Sequence, residues 1–136
     1  MTYTKTIPIE FNHCDPAGIV FYARYFEMTN SIIENFFADV VGTPFSVLHR
    51  TAGYGVPAIN IEAKFTKPSW LGDKVDFELG IYKLGRSSLS FEINGSCLGE
   101  RRLRAVITVV WMEKWRAQNW PAEMRARLQE FSERAA

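Results

Sequence analysis

Cysteine is scarce in this chain of 136 residues, and neither sign of charge prevails. The two cysteines, Cys14 and Cys97, are too few for a disulfide scaffold, and they show no metal-ligand spacing with His13 or His49. We therefore expect no metal. Sixteen Lys and Arg residues against fifteen Asp and Glu residues leave a net charge of +1, which disfavours binding to nucleic acid. Because no apolar run approaches the roughly 20 residues that span a bilayer, a membrane protein is not predicted either.

The composition that is present indicates one globular domain over residues 1–136, because 47% of the residues are hydrophobic. The N-terminal residues 1–6 show no apolar stretch behind a basic start, so secretion is not predicted. We expect a cytoplasmic protein with reduced thiols. Aromatic residues form 14% of the chain, more than one small core needs, and this predicts a second buried surface at a subunit interface or an apolar pocket.

Alternation of apolar and polar residues predicts five strands with one buried face each. The predicted strands cover Thr2–Phe11, Ala58–Phe65, Val75–Leu84, Ser87–Cys97 and Arg102–Met112. Short links at 84–86 and 98–100 are typical of hairpins, so the sheet is predicted to be mostly antiparallel. The charges of Arg101, Arg102 and Arg104 are interpreted as a solvated sheet edge that discourages further pairing.

A run without Gly or Pro predicts a long helix over Val20–Val41, which Gly42 and Pro44 end. Its apolar residues cover more than a third of the circumference, so the helix must be enclosed. Pro121–Arg134 predicts a short C-terminal helix. A five-stranded sheet curled around one central helix is the α+β hotdog fold, and its open edges predict a homodimer or a homotetramer.

The specific chemistry lies in the segment from Phe11 to Tyr22. Its carboxylate, Asp15, is held by the following Pro16 in a loop directly before the long helix. The first turn of a helix offers unpaired N–H groups and a partial positive charge, which suit an oxygen that becomes negative during acyl transfer. Gly18 leaves room for a substrate carbonyl. Asp15 would then act on that carbonyl as a nucleophile or as a general base.

The motif Asp15-Pro16-Ala17-Gly18-Ile19-Val20, placed after a first strand and before an aromatic helix, resembles that of the 4-hydroxybenzoyl-CoA thioesterase family. These proteins are hotdog-fold acyl-CoA thioesterases. The resemblance implies that Asp15 is the catalytic carboxylate and that a backbone amide at Phe21 or Tyr22 holds the thioester carbonyl. It implies hydrolysis of an acyl-CoA to the free acid and coenzyme A, with a benzoyl or 4-hydroxybenzoyl group as the leading substrate and no cofactor.

The resemblance also implies which residues bind the substrate. Arg86, Ser87 and Ser88 stand where the family has a basic, serine-containing hairpin that holds the nucleotide end of coenzyme A. The site is expected at a dimer interface, where Ala58 and Asn60 of the partner subunit would line the acyl pocket. The expected partners are therefore an acyl-CoA and a second copy of the chain.

Other interpretations stay open at this point. Asp15 by itself also fits a helix cap or an Asx turn, and His13 either orients Asp15 or substrate or simply forms a hydrogen bond in the turn. Cys14 is interpreted as a packing thiol, and Glu27 and Glu34 as solvent-exposed rather than catalytic. The alternative functions are a thioesterase for aliphatic acyl-CoA or acyl carrier protein, and a non-catalytic protein that binds acyl-CoA.

Overall fold

Five strands form one antiparallel sheet in the computed structural model, which describes residues 1–133. They are β1 (Tyr3–Pro8), β2 (Ala58–Phe65), β3 (Lys74–Leu84), β4 (Ser88–Cys97) and β5 (Glu100–Val110). The strand order is β1-β3-β4-β5-β2, so β1 and β2 are the two edges. The predicted strands are confirmed, β2 with the predicted bounds and the others with shifted ends. β1 stops before Phe11 because Phe11–His13 forms a turn of 3-10 helix.

The long predicted helix is also present, and it begins later than the sequence indicates. Helix α1 covers Tyr22–Phe36 and continues as a π-helical turn over Phe37–Val41. Gly42 ends it with a φ of 80°, in the left-handed region that glycine adopts without strain. Two further helices follow: the single turn α2 (Phe45–Leu48) and the C-terminal α3 (Ala122–Glu133). The predicted end of the last helix, Arg134, lies outside the described residues.

The core lies between α1 and one face of the sheet. Every second side chain is buried along β4, in the first half of β3 and in most of β5, as the period of two predicts. Phe36 of α1 is fully buried and meets four other rings edge-on. Those rings belong to Tyr3, Phe37, Phe91 and Phe131. The central helix is therefore enclosed by aromatic packing from the sheet and from α3.

The predicted charged edge is wrong, because β5 is an internal strand. It pairs with β4 on one side and β2 on the other. Arg102 is buried, and Arg104 forms an ion pair with Glu92 of β4. The edge of the sheet next to β5 is β2, which exposes large apolar side chains. These are Ile59, Ile61 and Phe65.

The segment between β5 and α3 contains a small separate hairpin of β6 (Met112–Glu113) and β7 (Arg116–Ala117). Trp111 and Trp120 of this segment are buried, whereas Trp115 is exposed. Within residues 1–133, the helices are all too short or too polar to cross a membrane.

Candidate active site

The loop of residues 14–21, called the Asp15 loop below, folds back on itself. Cys14 and Val20 form an isolated antiparallel bridge, which is why the predicted helix start at Val20 is wrong. Inside the loop, the N–H of Asp15 donates to the carbonyl of Ile19 at 3.0 Å. The N–H of Gly18 donates to the carbonyl of Asp15 at 2.9 Å, and Gly18 has a φ of 81°. The tight turn thus requires glycine for its backbone conformation.

The side chain of Asp15 forms an Asx turn within this loop. Its Oδ1 accepts the N–H of Ala17 at 2.9 Å, and the residue is half-buried. A carboxylate offers about four acceptor positions, so this one bond leaves it able to accept a proton or attack a carbon. The Asx turn and the catalytic interpretation are therefore compatible, since the turn fixes the orientation of the acid.

The start of α1 supplies one of the two predicted backbone donors. The N–H of Phe21 donates to the carbonyl of His13 at 3.0 Å, so that amide is already engaged. Tyr22 is the first residue of the helix, and its N–H has no partner within the helix. Of the predicted pair, the Tyr22 amide is therefore the candidate to bind an oxyanion.

The remaining polar groups near the loop have local partners. Nδ1 of His13 accepts the N–H of Glu10 at 2.9 Å, which is the turn role allowed for this histidine. The Cys14 thiol faces the carbonyl of Glu10 at 3.5 Å. On α1, Glu27 is exposed and paired with Arg24, and Glu34 is exposed, as predicted for both.

A second segment lies against the Asp15 loop. Residues 69–71, called the Ser69 segment below, connect β2 to β3. The N–H of Val20 donates to the carbonyl of Ser69 at 2.9 Å, and the N–H of Leu71 donates to the carbonyl of Gly18 at 3.1 Å. Between these bonds, Ile19 and Trp70 form an antiparallel bridge. The two segments therefore pair as short strands.

A buried arginine holds the Ser69 segment from the other side. Nη1 of Arg102 donates to the carbonyl of Pro68 at 3.0 Å and to Oδ2 of Asp73 at 2.7 Å, and it lies 3.4 Å from Oγ of Ser69. Its Nε is 3.0 Å from a carboxylate oxygen of Glu100 but is not aligned for a hydrogen bond. Oγ of Ser69 also accepts the hydroxyl of Tyr25 at 2.8 Å. Sequence reasoning missed this network because it placed Arg102 at a solvated edge.

Within this network the pKa values of Asp73 and of the Tyr25 hydroxyl depart from their usual range, for different reasons. The pKa of Asp73 lies below its usual range, chiefly because its carboxylate accepts the backbone N–H of Trp70 and then because it accepts a hydrogen bond from Arg102. Burial raises the pKa of the Tyr25 hydroxyl. The carboxylate of Asp73 is therefore held in its charged form and the Tyr25 hydroxyl in its neutral, donating form.

Two cavities lie along the contact between α1 and the edge strand β2. The first begins beside the Asp15 loop, and the second lies further along the helix. The ring of Phe65 stands between them, stacked on Tyr25 and edge-on to Phe26. Asp15 is not among the residues that line either cavity. The second is lined by Phe26, Thr29, Asn30, Ile33, Phe45, Val56, Ala58, Ile61, Ile107 and Val109.

The predicted nucleotide-binding residues lie at the far end of the sheet. β1 leaves the sheet where Pro8 pairs with Lys74, next to the Asp15 loop, and β3 then runs to Leu84 before the hairpin. At about 3.3 Å per residue this separates the two ends by about 30 Å. Arg86, Ser87, Ser88, Ala58 and Asn60 belong to the hairpin end or its neighbouring strand positions. One protomer therefore does not bring these residues to Asp15.

The chain also matches known proteins. The profile of the thioesterase-like superfamily aligns with residues 9–128. The chain belongs to this superfamily. Within residues 1–133, no group of three or more His, Cys, Asp or Glu side chains is placed to hold a metal ion.

The chain is also similar to individual known proteins. The chain is 26% identical over 107 residues to a 1,4-dihydroxy-2-naphthoyl-CoA hydrolase of Crocosphaera subtropica (strain ATCC 51142 / BH68), covering 79% of this chain and 74% of the relative. Its fold matches that of a gentisyl-coenzyme A thioesterase with a TM-score of 0.86 at 23% identity, covering 93% and 99% of the two chains. It also matches a 4-hydroxybenzoyl-CoA thioesterase, an Asp-to-Asn variant in complex with 4-hydroxybenzoyl-CoA, with a TM-score of 0.81 at 25% identity over 93% and 98%. The resemblance and the hotdog fold predicted from the sequence are confirmed.

We predict that the ion pair of Asp73 stabilises the thioesterase-like fold only above acidic pH. Because the folded-state pKa of Asp73 lies below its ordinary value of 3.8, the charged carboxylate contributes stability above that pH, and the contribution is lost as the pH falls through the folded-state value. The Tm of Asp73→Asn should therefore lie below that of the wild type at pH 6, and the gap should narrow below about pH 4.

Differential scanning calorimetry between pH 2.5 and 7 measures this gap in Tm. Asp76→Asn is the control for removing a nearby carboxylate, because Asp76 lies in β3, which begins directly after Asp73. A gap between the wild type and Asp73→Asn that stays constant over the whole range would contradict the prediction.

Proposed function

We propose that this chain is an acyl-CoA thioesterase that uses Asp15 to hydrolyse the thioester to a free acid and coenzyme A. The observation that carries the proposal is the placement of Asp15 in a pinned turn of the loop that leads into α1, whose first amide, that of Tyr22, has no partner within the helix. The acid can act on a carbonyl carbon while the amide binds the carbonyl oxygen. Membership of the thioesterase-like superfamily, with relatives that hydrolyse CoA thioesters, supports this chemistry.

Two routes use the same geometry. In the first, the Asp15 carboxylate attacks the thioester carbon, coenzyme A leaves as a thiolate, and water then hydrolyses the mixed anhydride to regenerate the carboxylate. In the second, Asp15 takes a proton from a water molecule as that water attacks the carbon, and the tetrahedral intermediate expels the thiolate. Both routes place negative charge on the carbonyl oxygen. The Tyr22 amide would stabilise this charge in each case.

A second copy of the chain would complete the site. β2 is an edge strand of eight residues with apolar side chains exposed, the kind of edge that pairs with another strand. Antiparallel pairing of two β2 strands about a two-fold axis sets the Phe65 end of one protomer beside the Ala58 end of the other. In such a homodimer, Asp15 of one subunit and Arg86 of the partner subunit would serve the same substrate.

The cavity along α1 supports an aromatic acyl group as the substrate. All ten lining residues are uncharged, and only two of them, Thr29 and Asn30, carry polar side chains. The hydroxyl of Thr29 donates back to the carbonyl of Phe26, so Asn30 is the side chain that would meet a polar ring substituent. A benzoyl or hydroxybenzoyl group gains affinity by burying its ring there, at about 25 cal/mol per Å² of apolar surface.

Asp15→Asn should abolish thioester hydrolysis and leave the fold intact. The amide oxygen of Asn can still accept the N–H of Ala17, but it can neither attack nor take a proton. We expect kcat for 4-hydroxybenzoyl-CoA to fall by at least about 1,000-fold, with Tm within a few degrees of the wild type. Release of free thiol, followed with a disulfide dye, measures the rate.

Glu27→Gln is the matched control, because this carboxylate is exposed on α1. Full turnover by Asp15→Asn would reject the assignment of Asp15. A wild-type protein that binds coenzyme A but releases no thiol above background would instead be a non-catalytic acyl-CoA binding protein.

Mixed dimers test whether the site is shared between subunits. Asp15→Asn and Arg86→Ala chains with two different affinity tags are co-expressed, and the hybrid is isolated through both tags. If Asp15 and Arg86 of one site come from different subunits, the hybrid has one intact site and should regain about half of the wild-type rate at low substrate concentration.

Hybrid activity no higher than the mean of the two parent variants would show that each site lies within one protomer. A hybrid of Arg86→Ala with the wild type, purified in the same way, calibrates the effect of Arg86 alone.

The acyl preference is tested with a panel of acetyl-, hexanoyl-, benzoyl- and 4-hydroxybenzoyl-CoA. We expect kcat/KM to be at least about 10-fold higher for the aromatic thioesters than for acetyl-CoA. Asn30→Trp should reduce that advantage, because the indole would occupy the cavity mouth from an exposed helix position.

Glu34→Trp is the matched control for bulk, since Glu34 is exposed on the same helix and does not line the cavity. An enzyme that prefers hexanoyl-CoA, or whose preference is the same in both tryptophan variants, would contradict the aromatic assignment.

A further inference from the structure

We propose that Arg102 and Ser69 are positioning residues. Through the Ser69 segment they fix the position of the Asp15 carboxylate relative to the Tyr22 amide. Neither residue is placed to react. Both act through the Ser69 segment, which contacts the Asp15 loop and α1. The inference rests on the proposed thioesterase function.

The first step is the anchoring of the Ser69 segment to the sheet. Arg102 lies on β5, which is hydrogen-bonded to a strand on each side and is therefore a rigid support. Its guanidinium is buried, and it bonds Pro68 just before the segment and Asp73 just after it. Asp73 in turn accepts the N–H of Trp70 at 2.9 Å, inside the segment. The Ser69 segment is thus bonded at its start, its middle and its end.

The second step is the transfer of this order to the Asp15 loop. The Ser69 segment pairs with residues 18–20 through two hydrogen bonds and one bridge. Within the same loop, Asp15 is bonded to Ile19 and Gly18 through its backbone. A shift of the Ser69 segment would therefore move the turn that orients the carboxylate.

The third step reaches the helix. Ser69 is fully buried, and its hydroxyl accepts the hydroxyl of Tyr25, which lies three residues after Tyr22 in the first turn of α1. One segment therefore contacts both halves of the candidate site, the acid through the loop and the amide donor through the helix. A misplacement of about 1 Å in such a site can cost about 100-fold in rate.

Stability alone gives a weak reason for this arrangement. An ion pair between a buried arginine and a partly buried aspartate contributes little net stability compared with apolar side chains of similar size, because the charges lose contact with water. The ion pair does specify the position of the Ser69 segment, because the hydrogen bonds of Arg102 are short and have fixed partners. A core made only of apolar side chains would fill the same space without specifying where the Ser69 segment lies.

The test uses graded variants of the full-length protein with 4-hydroxybenzoyl-CoA, or with the best substrate of the panel. Tyr25→Phe removes one hydroxyl, Ser69→Ala removes its acceptor, and Arg102→Met removes the guanidinium. We expect kcat to fall by about 10-fold to 100-fold in each, with KM within about twofold of the wild type. Arg102→Lys should recover much of the kcat lost in Arg102→Met, because one nitrogen makes all three contacts of the Arg102 network.

The controls are Arg104→Met, which removes the neighbouring ion pair with Glu92, and Tyr54→Phe, which removes a hydroxyl beside Trp111. Both should keep kcat within about twofold of the wild type, even where Tm falls. All rates are measured at least 15 °C below the Tm of each variant, so that unfolded protein does not contribute.

If Tyr25→Phe and Ser69→Ala keep the kcat of the wild type, the inference is wrong, even when Arg102→Met lowers Tm or does not fold. An equal loss in Arg102→Lys and Arg102→Met would also overturn it for Arg102. Failure of the proposed function has a different signature: the wild type itself would release no thiol, and this inference would fall with it.

Discussion

The antiparallel contact between residues 18–20 and the Ser69 segment is the constraint on which the candidate site depends. Of the residues of the Asp15 loop only Val20 is buried, so packing alone does not give the loop one conformation. Backbone hydrogen bonds to an ordered neighbour supply that order instead. Because the neighbour is itself tied to β5 through Arg102, the geometry of a surface loop is set by an internal strand.

The length of β3 separates the two parts that an acyl-CoA site must combine, the groups that act on the thioester and the residues that hold the nucleotide. The acid and the helix start lie at one end, and the hairpin that would hold the nucleotide lies about 30 Å away at the other. A strand this long supports an extended buried core, yet it keeps the two ends from meeting within one chain. Two-fold pairing at β2 resolves this conflict, since it reverses one protomer relative to the other. The same pairing would cover Ile59, Ile61 and Phe65, whose exposure on a lone edge is costly.

Much of the fold could be predicted because its signals are local. The alternation along Ala58–Phe65 predicts β2 with the observed bounds, and the absence of Gly and Pro before Gly42 predicts the long helix. The start of α1 was missed because Val20 and Phe21 are held by partners on the other strand of the loop and in the Ser69 segment, which propensity does not report. Arg102 was missed for a related reason. Its neighbours Arg101 and Arg104 make it look solvated, and only the strand order reveals that β5 is internal.

The sequence predicts the acid of the candidate site, but it does not decide which backbone amide binds the carbonyl oxygen. Asp15 is recognisable from its motif, whereas the choice between the Phe21 and Tyr22 amides depends on a hydrogen bond to His13 across the loop. A backbone donor also differs from a side chain because no substitution except proline deletes it, so the other substitutions can change only its position. Control of an oxyanion site built from a main-chain N–H must therefore come from side chains that move the backbone. The hydrogen bond between Ser69 and Tyr25 reaches the first turn of α1 from outside the helix, and it links the position of the amide to the segment that Arg102 of β5 holds.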